Sequence, residues 1–239
     1  MSMGTLYLIP SLLGDTDPDQ VLPGGTIERM RIIDHFIVEQ VRTARRLLSK
    51  INTLKPIDRI QFFELNKHAS IKEIQTFIEP IYNGNDVGLM SEAGTPCIAD
   101  PGAVIVEMAH EAGIRVIPLS GPNSIIMALM ASGLNGQSFA FHGYLPIHNA
   151  AREKAIKHIQ SLSIQLHQTQ IFIETPFRNN QLFAALIRVC NPGMYLCIAT
   201  NISLINEKII TRTIEDWKKY KPDLHKKPSV FLIGHKKTL

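Results

Sequence analysis

The sequence predicts an α/β protein of two lobes, an N-terminal one on a mostly parallel sheet (residues 1–118) and a C-terminal one on a mixed sheet (residues 119–239). Up to Leu119, short β-branched or apolar runs alternate with amphipathic segments, the pattern of crossover units on a parallel sheet. Beyond a Gly-Pro turn at Gly121-Pro122 the strands become longer, as expected for a sheet with antiparallel pairs. With 239 residues, 45% hydrophobic and 19% charged, the chain can bury one large core or two modest ones, which excludes disorder and fibrous repeats.

In the first lobe the expected strands are Thr5 to Ile9, His35 to Val38, Ile60 to Leu65, Asp86 to Met90 and Arg115 to Leu119. Between them, residues 26–33, 43–51, 71–82 and 103–112 carry apolar side chains at three- and four-residue steps and predict helices. A small-residue helix over Ser124 to Ser132 opens the second lobe. Its expected strands are Ser138 to Tyr144, Thr169 to Glu174, Tyr195 to Thr200, Lys208 to Ile214 and Ser229 to Gly234, with helices near Arg152 to Ser161 and Arg178 to Val189. The boundary falls near Pro118 to Gly121, and no internal repeat or low-complexity linker interrupts the chain.

Runs such as Val104 to Met108 or Val230 to Ile233 stop far short of the roughly 20 residues that cross a bilayer. The N-terminus lacks a basic region and a small-residue cleavage site, so the cytoplasm is the expected compartment. Cys97, Cys190 and Cys197 sit among apolar residues at spacings that match no zinc motif and read as buried thiols. The nine histidines form no metal-spaced pair on a helix face, and no metal site is expected. A net charge of +4 suits an acidic partner such as RNA. The signal is weak, because much of that excess lies in lysines from Lys218 to Lys237, where a solvated surface is the better explanation.

Chemistry is expected where loops leave strand ends. Ser91-Glu92-Ala93-Gly94-Thr95-Pro96 and Ala99-Asp100-Pro101-Gly102 follow the strand ending at Met90. In a parallel sheet that is where a backbone of small residues can approach a ligand. The same residues also read as a plain strand-to-helix connection with Pro101 at the helix start. Gly121-Pro122-Asn123-Ser124 offers free amide donors at a helix start, or simply a capping turn. Glu39 and Arg42 follow the strand ending at Val38, and Glu174 and Arg178 hold the matching position in the second lobe. Such charged groups are either solvated or functional. No Gly-x-Gly-x-x-Gly, no Gly-x-x-x-x-Gly-Lys-Ser/Thr and no Gly-x-Ser-x-Gly occurs, so dinucleotide, P-loop and serine-elbow chemistry have no support.

Together these segments resemble the tetrapyrrole methylase superfamily, and within it the small-subunit ribosomal RNA methyltransferase I family. Residues 91–102, SEAGTPCIADPG, are close to the family's SDAGTPxISDPG. Gly121-Pro122-Asn123-Ser124, Ala131-Ser132-Gly133-Leu134, Phe139 to Pro146, and Glu174-Thr175-Pro176-Phe177-Arg178 for the family's ESPHR follow in the family's order.

The resemblance implies a two-lobed S-adenosylmethionine-dependent methyltransferase, usually a homodimer, with the cofactor between lobes. By motif, the cofactor is lined by Pro10, Gly94, Thr95, Pro96, Ile98, Asn123, Ser124, Thr175, Ala199 and Thr200, and the substrate is met by Arg42, Glu174 and Arg178. The expected reaction is 2′-O-methylation of ribose in small-subunit ribosomal RNA, so RNA or the small ribosomal subunit is the expected partner. Glu39 is the candidate catalytic base or hydrogen-bond acceptor. Departures fall at the substrate end. Ile9-Pro10-Ser11-Leu12-Leu13-Gly14-Asp15 replaces a TPIGN-like turn, Val38-Glu39-Gln40-Val41-Arg42 replaces AEDTR, and Thr200-Asn201-Ile202-Ser203-Leu204 replaces a charged segment. These changes leave two alternatives: a methylase of a tetrapyrrole or other small precursor, and a non-catalytic cofactor-binding paralogue.

Overall fold

The computed structural model describes residues 3–65 and 71–235, in two compact units, Met1–Asn123 (unit 1) and Ser124–Leu239 (unit 2). Unit 1 runs β1 (Thr5–Ile9), α1 (Pro18–Val21), α2 (Gly24–Ile32), β2 (His35–Val38), α3 (Val41–Lys50), a single 3-10 turn (Ile57–Arg59), β3 (Gln61–Glu64), α4 (Ile71–Phe77), α5 (Glu79–Tyr82), β4 (Val87–Met90), α6 (Ala103–Glu111) and β5 (Arg115–Pro118). Its sheet has the order β3-β2-β4-β1-β5, and the pairings are all parallel.

Side chains alternate across that sheet and sort the helices onto its two faces. Tyr7, Ile9, Phe36 and Val38 join Ile27 and Met30 of α2 and Leu47 and Leu48 of α3 in one buried cluster. Leu6, Ile37, Val87 and Leu89 join Ile74, Ile81, Ile105 and Ala109 of α4, α5 and α6 in another. Burying each of the larger side chains contributes roughly 1.5–3 kcal/mol relative to leaving it in water. The chain therefore leaves β1 towards one face and its neighbour β4 towards the other. Such a switch between adjacent parallel strands opens a crevice beyond their carboxyl ends.

Unit 2 runs α7 (Ser124–Ser132), β6 (Phe139–Tyr144), α8 (Asn149–Leu166), β7 (Thr169–Ile173), α9 (Asn179–Val189), β8 (Tyr195–Thr200), β9 (Lys208–Thr213), α10 (Ile214–Lys218) and β10 (Ser229–Gly234). The sheet order is β6-β7-β10-β8-β9, with β6 and β7 parallel and the other pairs antiparallel. This is the mixed sheet expected from the sequence. Its core gathers Ile156, Phe172, Leu182, Leu186, Trp217 and Phe231. The Trp217 indole meets the Phe183 ring edge-on at 5.7 Å and donates to the Leu196 carbonyl at 2.8 Å, so its one polar atom is satisfied within the core.

Several expected elements are corrected. The helix over 71–82 is two short helices, α4 and α5, with Pro80 in the first turn of α5. Proline has no N–H for the carbonyl four residues back, and its ring crowds that carbonyl. Helix α3 begins at Val41, ahead of the expected Thr43. The helix expected near Arg152 to Ser161 extends over Asn149–Leu166 and stops at His167, which takes a left-handed φ of 50°. Helix α10 was not expected. Thr213 caps it by accepting from the Asp216 amide at 3.1 Å and donating to the Asp216 carboxylate at 2.7 Å. Cys190 and Cys197 are buried as expected, but Cys97 is only half-buried. Among the described residues no helix is long and apolar enough to cross a membrane, and no group of three His, Cys, Asp or Glu side chains is arranged to hold a metal ion. Lys236 and Lys237 of the C-terminal lysine series lie outside the described residues.

Candidate functional site

The segments singled out in the first half of the sequence meet at the carboxyl ends of β1, β2, β4 and β5. Ser11, just past β1, and Gly94, in the loop after β4, form a reciprocal backbone bridge. The Ser11 amide donates to the Gly94 carbonyl at 2.8 Å, and the Gly94 amide donates to the Ser11 carbonyl at 3.1 Å. The Ser11 hydroxyl adds a bond to the Ser91 carbonyl at 2.7 Å. Two loops on either side of the switch point are thereby held as one piece.

Two glycines permit this approach. Gly94 has φ +74°, and a Cβ there would lie 3.1 Å from Leu13 Cδ2 and 3.3 Å from the Pro122 carbonyl oxygen. A Cβ on Gly121 would fall 2.2 Å from Pro10 Cγ, so only glycine lets the loop after β5 lie against Pro10. That loop is tied down from α2, where the Thr26 hydroxyl donates to the Ser120 carbonyl at 2.8 Å. Asn123 then donates its side-chain amide to the Thr95 hydroxyl at 2.6 Å. Pro10, Gly94, Thr95 and Asn123 thus stand together in unit 1.

Further along the same loop, Cys97 and Ala99 have φ of 67° and 64°. A non-glycine residue there costs about 1–2 kcal/mol, and strain of this kind persists only where the surroundings impose it. The Asp100 carboxylate helps by accepting from the Gly102 amide at 2.7 Å. Burial, reinforced by the Asp100 charge, pushes the Cys97 thiol up to about 11. Pro96 precedes this strained stretch, and Ile98 within it is 45% exposed, with an apolar side chain fit to flank an aromatic ring.

Glu39, the first residue after β2, accepts from the Glu92 amide at 2.9 Å, which brings the candidate base to the Ser91–Gly94 loop. Beside it, unit 1 has a cavity of about 1200 Å³ bounded by residues 11–15, by one side of α3, and by Glu92 and Ala93. Arg42 lines it, as do Arg45, Arg46 and Lys50. The sequence reading missed the last three, although Arg42, Arg45 and Arg46 stand at helical steps in an amphipathic segment. Lys50 is committed to Asp15 at 2.6 Å, and that hydrogen bond holds the Asp15 carboxyl below the usual carboxylate range.

In unit 2, Ser124 opens α7. The Glu174 side chain is fully buried, and its Oε1 accepts from the Thr175 amide at 2.7 Å and from the Arg178 Nη2 at 2.6 Å. This hydrogen bond raises the Arg178 pKa. The other carboxylate oxygen, Oε2, is buried without a hydrogen-bond partner. Ala199 is buried inside the sheet opposite Val230. Thr200 donates to the Lys208 carbonyl at 3.1 Å and borders a second cavity of about 210 Å³ with Asn201, Trp217 and Tyr220.

The unit 1 loops fit S-adenosylmethionine. Small residues and backbone amides admit the amino-acid end closely, and exposed Ile98 offers an apolar flank for the adenine. Comparison with solved structures gives the same fold. The chain matches the methyltransferase CobJ with a TM-score of 0.65 at 15% identity, covering 99% of this chain and 97% of that one. It matches the uroporphyrin-III C-methyltransferase of Thermus thermophilus, solved with S-adenosyl homocysteine, at a TM-score of 0.60 and 14% identity, covering 97% of each. The fold defines a class, the proteins that share the tetrapyrrole methylase fold.

The particular family follows from sequence. The chain is 33% identical over 238 residues to the ribosomal RNA small subunit methyltransferase I of Vibrio cholerae, covering 96% of this chain and 76% of the relative. It is 30% identical over 236 residues to the Haemophilus influenzae protein of that name, covering 98% and 79%, and 29% identical over 214 residues to that of Bacillus subtilis, covering 90% and 69%. The chain belongs to the ribosomal RNA small subunit methyltransferase I family. No protein-family model matches it.

Proposed function

We propose that this protein methylates ribosomal RNA of the small subunit at a ribose 2′-hydroxyl. The observation that carries the reading is the meeting of Glu39 with the Ser91–Gly94 loop beside a cavity lined by arginines, in a chain whose relatives are named for that substrate. S-adenosylmethionine, when bound, supplies the methyl group of its sulfonium. Backbone around Gly94, with Pro10, Thr95 and Asn123, holds the cofactor, while the assignment of Ser124, Thr175, Ala199 and Thr200 as further contacts rests on family resemblance.

The protein's part is to orient the acceptor and exclude water. A ribose hydroxyl is a weak nucleophile, and Glu39 accepts its proton or its hydrogen bond. Glu39 is oriented for this by the Glu92 amide. Arg42 holds the anionic strand nearby, and Glu174 with Arg178 forms the second substrate contact. The cytoplasm, where small subunits are available, is the compartment this substrate requires, and a homodimer is the assembly the resemblance implies; a monomeric mass on sedimentation would refute the latter.

The test is transfer of labelled methyl from S-adenosylmethionine to small ribosomal subunits, followed by alkaline hydrolysis of the RNA. A 2′-O-methyl blocks cleavage at its own linkage, so one protected dinucleotide is expected. Label on a base, or on a tetrapyrrole and not on RNA, would overturn the reading. Glu39→Gln should bind cofactor normally and lose about 10²–10⁴-fold in single-turnover rate; an undiminished rate would remove Glu39 from its role.

A further inference from the structure

We propose that the unit 1 cavity is a seat for one unstacked nucleotide of the acceptor strand, with the exposed face of α3 gripping its phosphates. The inference rests on the RNA reading above and adds where, and by which residues, the strand is held. Helix α3 buries Ala44, Leu47 and Leu48 and turns Arg42, Arg45 and Arg46 out to solvent along the cavity rim.

Helix stability does not explain this pattern. The first turn of α3 carries no acidic residue, so Arg42 sits at the helix end where the dipole disfavours a cation. Like charges three and four residues apart also repel. Among the described residues, none of the three arginines lies within ion-pair distance of a carboxylate. Lys50, by contrast, is neutralised by Asp15. The Arg45 guanidinium lies 5.3 Å from the centre of the Phe62 ring, which holds it in place while its N–H edge remains available. Three guanidiniums outside any ion pair, of which Arg46 feels the Asp15 carboxylate only through space, suit phosphate oxygens, which they can engage with paired donors.

The floor of the cavity has different chemistry. Leu12, Leu13 and Ile57 line it and are half-buried, giving an apolar surface for a nucleobase. A basic rim beside an apolar platform is how single strands are bound with little sequence preference. Because Glu92 lines the same cavity and its amide binds Glu39, a nucleotide seated there brings its neighbouring ribose to the candidate base.

The experiment is fluorescence anisotropy with a short single-stranded oligoribonucleotide over a range of salt concentrations. It compares the wild type, Arg45→Gln/Arg46→Gln, and a charge-matched control, Lys154→Gln/Lys157→Gln, on the exposed side of α8. Each phosphate contact contributes about 0.7 to the slope of log affinity against log salt for a single strand, so the α3 variant should lose about 1.4. The control should keep the wild-type slope. Calorimetry with S-adenosylhomocysteine should be unchanged in both variants. An α3 variant with the wild-type slope, a control that loses as much, or a wild type that binds no RNA would overturn the proposal. Methyl transfer by the wild type to small ribosomal subunits is measured separately. If transfer persists and the α3 slope does not change, the anchor fails and the RNA reading stands; if wild-type transfer is absent, the RNA reading itself fails.

Discussion

Replacing Gly94 with alanine tests whether the bridge between the β1 and β4 loops forms the cofactor site. The backbone at Gly94 has φ +74°, and the new methyl would lie 3.1 Å from Leu13 Cδ2 and 3.3 Å from the Pro122 carbonyl oxygen. Leu13 can swing aside, but the carbonyl belongs to the backbone and moves only with its loop. A left-handed alanine costs about 1–2 kcal/mol. If the loop relaxes instead, it gives up the two bonds shared with Ser11, at 2.8 and 3.1 Å, each worth about 1 kcal/mol. Both routes give a similar penalty and differ in where it is seen. A loop that keeps its shape lowers the melting temperature by roughly 2–8 °C. A loop that relaxes must be restored on binding, which weakens S-adenosylhomocysteine by about 5- to 30-fold. Calorimetric titration and thermal denaturation of the same sample read both. Wild-type affinity together with a wild-type melting temperature would refute the reasoning; Gly94→Arg, which also fills the space, should not bind at all.

Three further outcomes are expected. Gly121→Ala forces a methyl to within 2.2 Å of the Pro10 ring; overpacking of this kind costs about 1–3 kcal/mol, and a urea midpoint equal to wild type would show that the loop is looser than described. Burial holds the His35 pKa below its usual value, so the unfolded chain takes up a proton first and stability falls as pH drops below about 6.5. His35→Gln should flatten that acid limb in urea titrations, and an unchanged limb would assign it to other groups. At pH 8 a thiol with a pKa of about 11, as for Cys97 and Cys197, is ionised only to the order of one part in a thousand. Iodoacetamide should therefore label the folded protein slowly at all three cysteines and rapidly in urea; fast labelling of the folded protein would contradict the burial.

Much of unit 1 was legible in the sequence because fully buried parallel strands are short apolar runs. Thr5–Ile9 and His35–Val38 were read to the residue for that reason. The mixed sheet of unit 2 was legible from its longer strands, Tyr195–Thr200 and Ser229–Gly234. Where reading failed, local chemistry overrode periodicity. Pro80 broke a helix whose apolar spacing ran on unbroken, and Thr213 started one too short to show a period. Motif order brought Gly94, Thr95 and Asn123 to notice, but not the reason they meet. That reason lies in pairs such as Ser11 with Gly94 and Pro10 with Gly121, whose partners are distant in the chain and carry no sequence sign of each other. The basic side of α3 was visible as Arg42, Arg45 and Arg46, yet only folding brings it to the same crevice as Glu92.

The strand order of unit 1 also bears on how the protein is made. Within unit 1, β1 is made before the other strands, and its partners, β4 and β5, are the last two strands of that unit to be synthesised. The Thr5 amide waits for an acceptor on Asp86, 81 residues later in the chain. Until then the apolar segment Leu6-Tyr7-Leu8-Ile9 has no strand to lie against, while β2 and β3 can already pair with each other. Contacts so distant in sequence form slowly, and an unpaired apolar edge invites association with other chains. A nascent chain that pauses before Val87 therefore holds β1 without a partner strand for the length of the pause, and unit 1 closes its sheet only once β4 and β5 have been made.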